Sequence, residues 1–160
     1  MGRDRHPIPP PEPPPALRRP DVGLPAYRYV PGLQPHPHKG RGGHGHAPEL
    51  DRDALWQHGL DLFDHRFYWE CHEVLEGRWK TLPRGDAERE RLQGLIQAAA
   101  AALQQHLGHP AGARRLLDRA TARFDAARPA EGDVVGGCST AGVVAAVEAF
   151  LSGGAWPRTR

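Results

Sequence analysis

The stretch between residues 92 and 103 is apolar on nearly every side of a helix, and this feature constrains the fold most. It belongs to a longer run, residues 86–107, which reads DAERERLQGLIQAAAAALQQHL. A helix without a polar face has to be enclosed by other elements. Asp86 is a predicted N-cap, and Gly108 is a typical C-terminal stop. We therefore expect a buried central helix surrounded by other helices.

Four further stretches of the chain have helical patterns. A turn near Arg66 separates the first two, and Pro and Gly mark the other breaks. No strand pattern appears apart from the short residues 133–135. The sequence therefore predicts an all-α fold, a compact bundle of about five helices. The four stretches are residues 50–65 and 67–80 before the central helix, and residues 110–128 and 141–153, capped by Thr140, after it.

The prolines are concentrated at the N-terminus. Thirteen of the 17 prolines fall in residues 1–48, in runs such as PIPPPEPPPALRRP. This segment has no periodic apolar pattern, so it cannot bury enough surface to offset the entropy lost on ordering. We predict a disordered, partly polyproline II tail over residues 1–48 and a single helical domain over residues 49–156.

The charge is distributed unevenly. Residues 1–47 carry seven Lys or Arg against three acids, a local charge of +4, so the remainder of this +2 chain carries −2. A slightly acidic domain is not typical of specific nucleic-acid binding, and the basic tail would touch phosphates only weakly. No apolar run reaches ~18 residues, so no membrane association is expected. We predict a cytoplasmic protein; its partners are not indicated, and homo-oligomerisation is left open.

The predicted helix over residues 67–80, FYWECHEVLEGRWK, carries an ionisable pair at the edge of its apolar face. His72 and Glu76 are one turn apart, and Glu70 and Glu73 point to the opposite side. A His–Glu pair in a water-poor position needs polar partners. We therefore expect a buried His–Glu site between two indoles. The apolar stripe consists of Phe67, Cys71, Val74 and Leu75, and the two indoles are those of Trp69 and Trp79.

These residues resemble those of the bacterial and archaeal family called domain of unknown function 309. The hallmark of that family is His-x-x-x-Glu-x-x-Trp on a helix, which His72, Glu76 and Trp79 match. The resemblance covers about residues 55–124. It implies a small all-helical domain, a candidate metal-binding role for the His and the Glu, and no established activity. A second block matches at Gln93, Gly94, Leu95, Ile96 and Gln97, followed by Gly108, Gly112 and Ala113.

Three interpretations of the site stay open at this point. A His and a Glu at i and i+4 can reach one divalent metal ion, with His106 or another carboxylate as the third ligand. Gln93 and Gln97 would then orient the ligands. Alternatively, the same groups form only a hydrogen-bond network that fixes how the helices dock, which would suit a non-enzymatic interaction module. The third interpretation is a small-molecule pocket lined by these residues.

Two other metal motifs are weaker. HEVLE, residues 72–76, is similar to the zinc-peptidase motif HExxH, with Glu73 in the place of the general base. The second His is missing, so an enzyme that uses metal-bound water is the less favoured hypothesis. The N-terminal histidines suit loose metal binding, but a disordered tail supplies no catalytic geometry. These histidines are His36, His38, His44 and His46.

Overall fold

The computed structural model describes residues 5–37, 49–127, 134–135 and 138–159 of the chain. In this part of the chain five helices pack together, which confirms the predicted all-α bundle. A two-residue antiparallel pair, β1 (Val134–Val135) with β2 (Cys138–Ser139), precedes the last helix. The helices are α1 (Arg52–Asp64), α2 (Tyr68–Trp79), α3 (Ala87–His106), α4 (Pro110–Ala126) and α5 (Thr140–Leu151).

The central position belongs to α3, as its apolar sequence predicts. It packs against each of the four other helices, and Ala99 in its middle is fully buried. Gly94 lets α4 approach closely, because a Cβ atom there would lie 2.5 Å from the ring of Phe124. Neither α3 nor any other described helix is long and apolar enough to cross a membrane.

The helix ends follow the local sequence signals. The side chain of Asp86 caps α3, and Gly108 adopts a φ of +77° just after the helix ends. Pro110 occupies the first turn of α4, where its missing N–H costs no hydrogen bond. The last helix is capped by Ser139, one residue earlier than the Thr140 cap expected from the sequence.

Residues 5–37, which we call the N-terminal segment, lie against the helices. Ile8, Tyr29 and Val30 are buried, and Ile8 and Val30 belong to the same hydrophobic core as α1, α2 and α3. This arrangement differs from the disorder predicted from composition for residues 1–48. Residues 1–4 and 38–48 lie outside the described residues, and the division of the chain at residue 48 remains a prediction.

Two buried aspartates of α1 explain much of why the N-terminal segment packs against the helices. The backbone N–H groups of Arg18 and Arg19 donate to the carboxylate of Asp61 at 2.8 Å each. The guanidinium of Arg18 donates to Asp64 at 2.9 Å, and the backbone N–H of Thr159 donates to the same carboxylate at 2.7 Å. A Pro-rich segment forms few internal hydrogen bonds, but here its free donors satisfy acids that α1 buries.

Candidate metal site and adjoining cavity

The predicted ionisable pair is formed on α2. Because residues four apart lie on the same face of a helix, the imidazole of His72 and the carboxylate of Glu76 meet. His72 Nε2 lies 3.0 Å from Glu76 Oε2. The second carboxylate oxygen of Glu76 lies 3.1 Å from Lys80 Nζ, one further turn along the helix. Glu76 is therefore oriented by two neighbours on its own helix.

Glu73 supplies a third donor beside this pair. Its Oε1 lies 3.6 Å from His72 Nδ1. One ligand atom from each of His72, Glu73 and Glu76 lies within 4.8 Å of the other two, close enough for one ion to contact all three. We call these three residues the His–Glu cluster. The sequence analysis placed Glu73 on the opposite side of the helix; the structure places it beside His72.

The cluster is less buried than the sequence predicted. The side chains of His72, Glu73 and Glu76 are 35%, 20% and 26% exposed. The reason is that these three residues lie along the edge of α2, whereas Cys71 and Leu75 occupy its buried face. A partly exposed cluster of this kind is accessible to an ion from solvent.

A cavity of about 190 Å³ adjoins the cluster, between α2 and α3. Its wall from α3 includes both glutamines that the sequence analysis singled out. Trp79 forms an aromatic wall of the cavity. The guanidinium of Arg89 stacks on the ring of Trp79, with Cζ 4.2 Å from the ring centroid. The lining residues are His72, Glu76 and Trp79 from α2, and Gln93, Ile96 and Gln97 from α3.

The predicted hydrogen-bond network between α2 and α3 is not formed through Gln97. Within the described residues its Oε1 is buried without a hydrogen-bond partner, as is the indole Nε1 of Trp79. Buried polar atoms without partners are uncommon and lower the stability of a fold. The Oε1 of Gln97 therefore contributes no hydrogen bond to the docking of α2 against α3 within the described residues.

Trp69 has a different role from the one predicted. It is not among the residues that line the cavity. Its ring lies edge-on to Tyr29 of the N-terminal segment, with centroids 4.7 Å apart, and edge-on to His36 at 5.1 Å. Only one of the two expected indoles, that of Trp79, therefore shields the His–Glu cluster. His38, His44 and His46 lie outside the described residues.

His106 does not belong to the His–Glu cluster. Its Nε2 lies 2.6 Å from the backbone oxygen of His6, and its ring is tilted against Trp156 at 5.6 Å between centroids. Trp156 folds back on the body and stacks on Phe150 at 4.7 Å between centroids. His106 therefore ties the two ends of the described chain to α3, and Glu73 is the third donor of the His–Glu cluster.

Sequence reasoning missed the role of Glu70. Its carboxylate is buried and accepts a hydrogen bond from the backbone N–H of Tyr29, with Oε2 at 3.2 Å. Burial raises the pKa of Glu70 to about 7, because desolvation outweighs the hydrogen bond from Tyr29 and the nearby charge of Arg28. Composition alone offered no signal for this contact, since it depends on the docking of the N-terminal segment.

Comparison with known proteins gives one family. Residues 56–116 match the family model described as domain of unknown function (DUF309), which confirms the resemblance noted in the sequence. The matched range includes all six residues that line the cavity and all three residues of the His–Glu cluster. No curated protein and no solved structure matches the chain.

Proposed function

We propose that this chain, whose residues 56–116 belong to the DUF309 family, binds a divalent metal ion through the His–Glu cluster. The observation that supports the proposal best is the mutual distance of the three donor atoms, at most 4.8 Å. Two ligands of one ion at bond lengths near 2.1 Å are separated by no more than about 4.2 Å. Small rotations of the exposed side chains of His72, Glu73 and Glu76 would therefore complete the site.

The donor set favours a particular class of ion. One imidazole nitrogen with two carboxylate oxygens suits Zn²⁺ and similar first-row ions better than Ca²⁺ or Mg²⁺, which prefer oxygen ligands alone. Glu76 would use Oε2, the oxygen that already faces His72, while Lys80 holds Oε1. Three protein ligands leave at least one coordination position for a group from solvent.

The alternative is a non-enzymatic helical module in which the cluster is only structural. The unpartnered Oε1 of Gln97 speaks against this alternative, because a network that fixes the docking of α2 and α3 needs bonds between them. Arg78 and Glu88 form a polar bridge between the two helices, whereas His72 and Glu76 pair within α2. Exposed pairs at i and i+4 contribute only about 0.3–0.5 kcal/mol to helix stability.

Calorimetric titration with Zn²⁺ tests the proposal. We would use the full chain with His38, His44 and His46 changed to alanine, which removes the N-terminal histidines outside the described residues. Glu76→Gln keeps the shape of the side chain and removes its charge. Glu148→Gln is the matched control, because Glu148 is an exposed carboxylate paired with Arg114 on other helices.

We expect one Zn²⁺ per chain, bound in the parent and in Glu148→Gln and lost or strongly weakened in Glu76→Gln. Because an ion that binds only the folded state stabilises it, added Zn²⁺ should raise the melting temperature of the same two proteins. Equal Zn²⁺ uptake by Glu76→Gln, or no uptake by the parent, would overturn the proposal. Chelator-treated samples provide the metal-free baseline.

A further inference from the structure

The cavity beside the His–Glu cluster is smaller than most ligand pockets but large enough for one small ring. Its volume of about 190 Å³ exceeds that of an engineered cavity of about 150 Å³ that accommodates benzene. Trp79 and Ile96 supply apolar walls, and Gln93 supplies a polar one. A ligand with an apolar body of about six carbon atoms and a polar end would match these surroundings.

The polar end of such a ligand would contact the proposed metal ion. His72 and Glu76 both belong to the cluster and line the cavity, whereas Glu73 belongs to the cluster alone. An ion held by all three residues would therefore border the cavity. Its remaining coordination position would be open to a molecule that lies there.

The charges select the type of ligand. Without a metal, the carboxylates of Glu73 and Glu76 outweigh the ammonium of Lys80, so the site has a formal charge of minus one. A divalent ion reverses this to plus one. The guanidinium of Arg89 stacks on the ring of Trp79, which lines the cavity, and so adds a further positive charge nearby. The metal-loaded site would attract an anion that the empty site repels.

We propose that the cavity binds a small monocarboxylate with an apolar body, and that it does so only when the His–Glu cluster holds a divalent ion. The inference rests on the proposed metal binding and adds the ligand class. The carboxylate would coordinate the ion, the apolar body would lie between Trp79 and Ile96, and Lys80 would contribute to the attraction.

Calorimetric titration of the Zn²⁺-loaded full chain with benzoate tests this inference. Benzoate should bind the loaded protein and not the chelator-treated protein. Acetate, which lacks the apolar body, and benzamide, which lacks the charge, should each bind about tenfold more weakly than benzoate or worse. Similar affinity for benzamide, or benzoate binding that persists in chelator, would overturn the inference.

Two variants examine the cavity and the charge separately. Ile96→Phe fills the cavity without touching a proposed metal ligand, so it should abolish benzoate binding and retain Zn²⁺ uptake. Lys80→Met should weaken benzoate about tenfold, whereas Arg115→Met, an exposed cation on α4, should not. If Ile96→Phe does not fold, Gln93→Phe is the second cavity-filling variant.

The outcomes distinguish the two proposals. Zn²⁺ uptake without benzoate binding would overturn the proposed carboxylate binding and leave the proposed metal site standing. Unchanged benzoate affinity in both cavity-filling variants would place the anion elsewhere and also overturn the inference. Absence of Zn²⁺ uptake would overturn both.

Discussion

Arg18 forms a buried ion pair with Asp64, a residue 46 positions later in the chain, with Nη1 2.9 Å from Oδ2. Asp64 also accepts hydrogen bonds from the backbone and the hydroxyl of Thr159. One carboxylate of α1 therefore holds residues close to both ends of the described chain. Arg18 has a second, longer contact of 3.6 Å to Asp61.

Asp64→Asn should destabilise the protein substantially. The change removes the charge of the nearer carboxylate and leaves the buried guanidinium of Arg18 with the longer contact to Asp61 and a hydrogen bond to the hydroxyl of Thr159. Breaking a buried pair is costly. We expect a loss of about 3 kcal/mol in the free energy of unfolding, measured by urea denaturation. Asp21→Asn is the matched control, because Asp21 pairs with Arg19 at the surface and should lose about 0–1 kcal/mol. Equal losses in the two variants would contradict the assigned role of Asp64.

Deletion of residues 1–37 tests whether the N-terminal segment is a dispensable tail, as its composition predicts, or part of the folded domain, as its contacts indicate. Composition alone predicts a dispensable tail and an unchanged melting temperature. The contacts predict a loss, because Ile8, Tyr29 and Val30 leave the core and uncover apolar surface of α1 and α2. We expect the melting temperature to fall by about 5 °C or more in a calorimetric scan. Deletion of residues 1–4 alone provides the control, and an unchanged melting temperature after the longer deletion would restore the disordered-tail prediction.

Glu70→Gln should remove part of the pH dependence of stability. Because the pKa of Glu70 is raised from 4.5 to about 7 in the folded state, protonation stabilises the fold. That contribution is fully present below pH 4.5 and is lost as the pH rises through about 7. The glutamine stays neutral, so the variant should match the parent near pH 4.5 and exceed it by up to about 3 kcal/mol at pH 8.

Urea denaturation of both proteins across this pH range, in the presence of a chelator, measures the difference. A variant that is less stable than the parent at every pH would show that the charge of Glu70, through Arg28 and the Tyr29 N–H, stabilises the segment instead.

Ala99→Leu should overpack the core of α3. Ala99 is fully enclosed, so the added carbons have no space, and such changes cost about 1–3 kcal/mol. Ala145→Leu on α5 is the control, because Ala145 is exposed and leucine is also a good helix former. Chemical denaturation of both variants measures the two costs. Parent-like stability of Ala99→Leu would show that α3 has an open face.

Local patterns predicted the helices and the pair at the site. The spacing of His72 and Glu76 in the sequence was enough to bring them together, because a helix repeats every 3.6 residues. Gln93 and Gln97 line the cavity from α3, the helix predicted to be central, and the role predicted for them in orienting metal ligands stays a prediction. In each case the relevant contact lies within one helix or between two helices joined by a short turn.

What the sequence did not predict depends on contacts between distant parts of the chain. The position of Trp69 follows from its packing against Tyr29 and His36, and His106 is drawn to the backbone of His6. Neither partner was expected, because the N-terminal segment has no apolar periodicity. A signal was nevertheless present in α1, where Asp61 and Asp64 interrupt an apolar stretch and require partners from elsewhere.

The close contact between Gly94 and the Phe124 ring has a mechanical consequence for the site. Helix α3 cannot turn about its own axis without driving its backbone or side chains into that ring. Gln93, next to Gly94, and Gln97, one turn further along, are thereby kept at a fixed angle to the cavity. The backbone of this wall is held in place, so adjustment to an ion or an anion falls mainly to the other wall, where the partly exposed side chains of α2 lie.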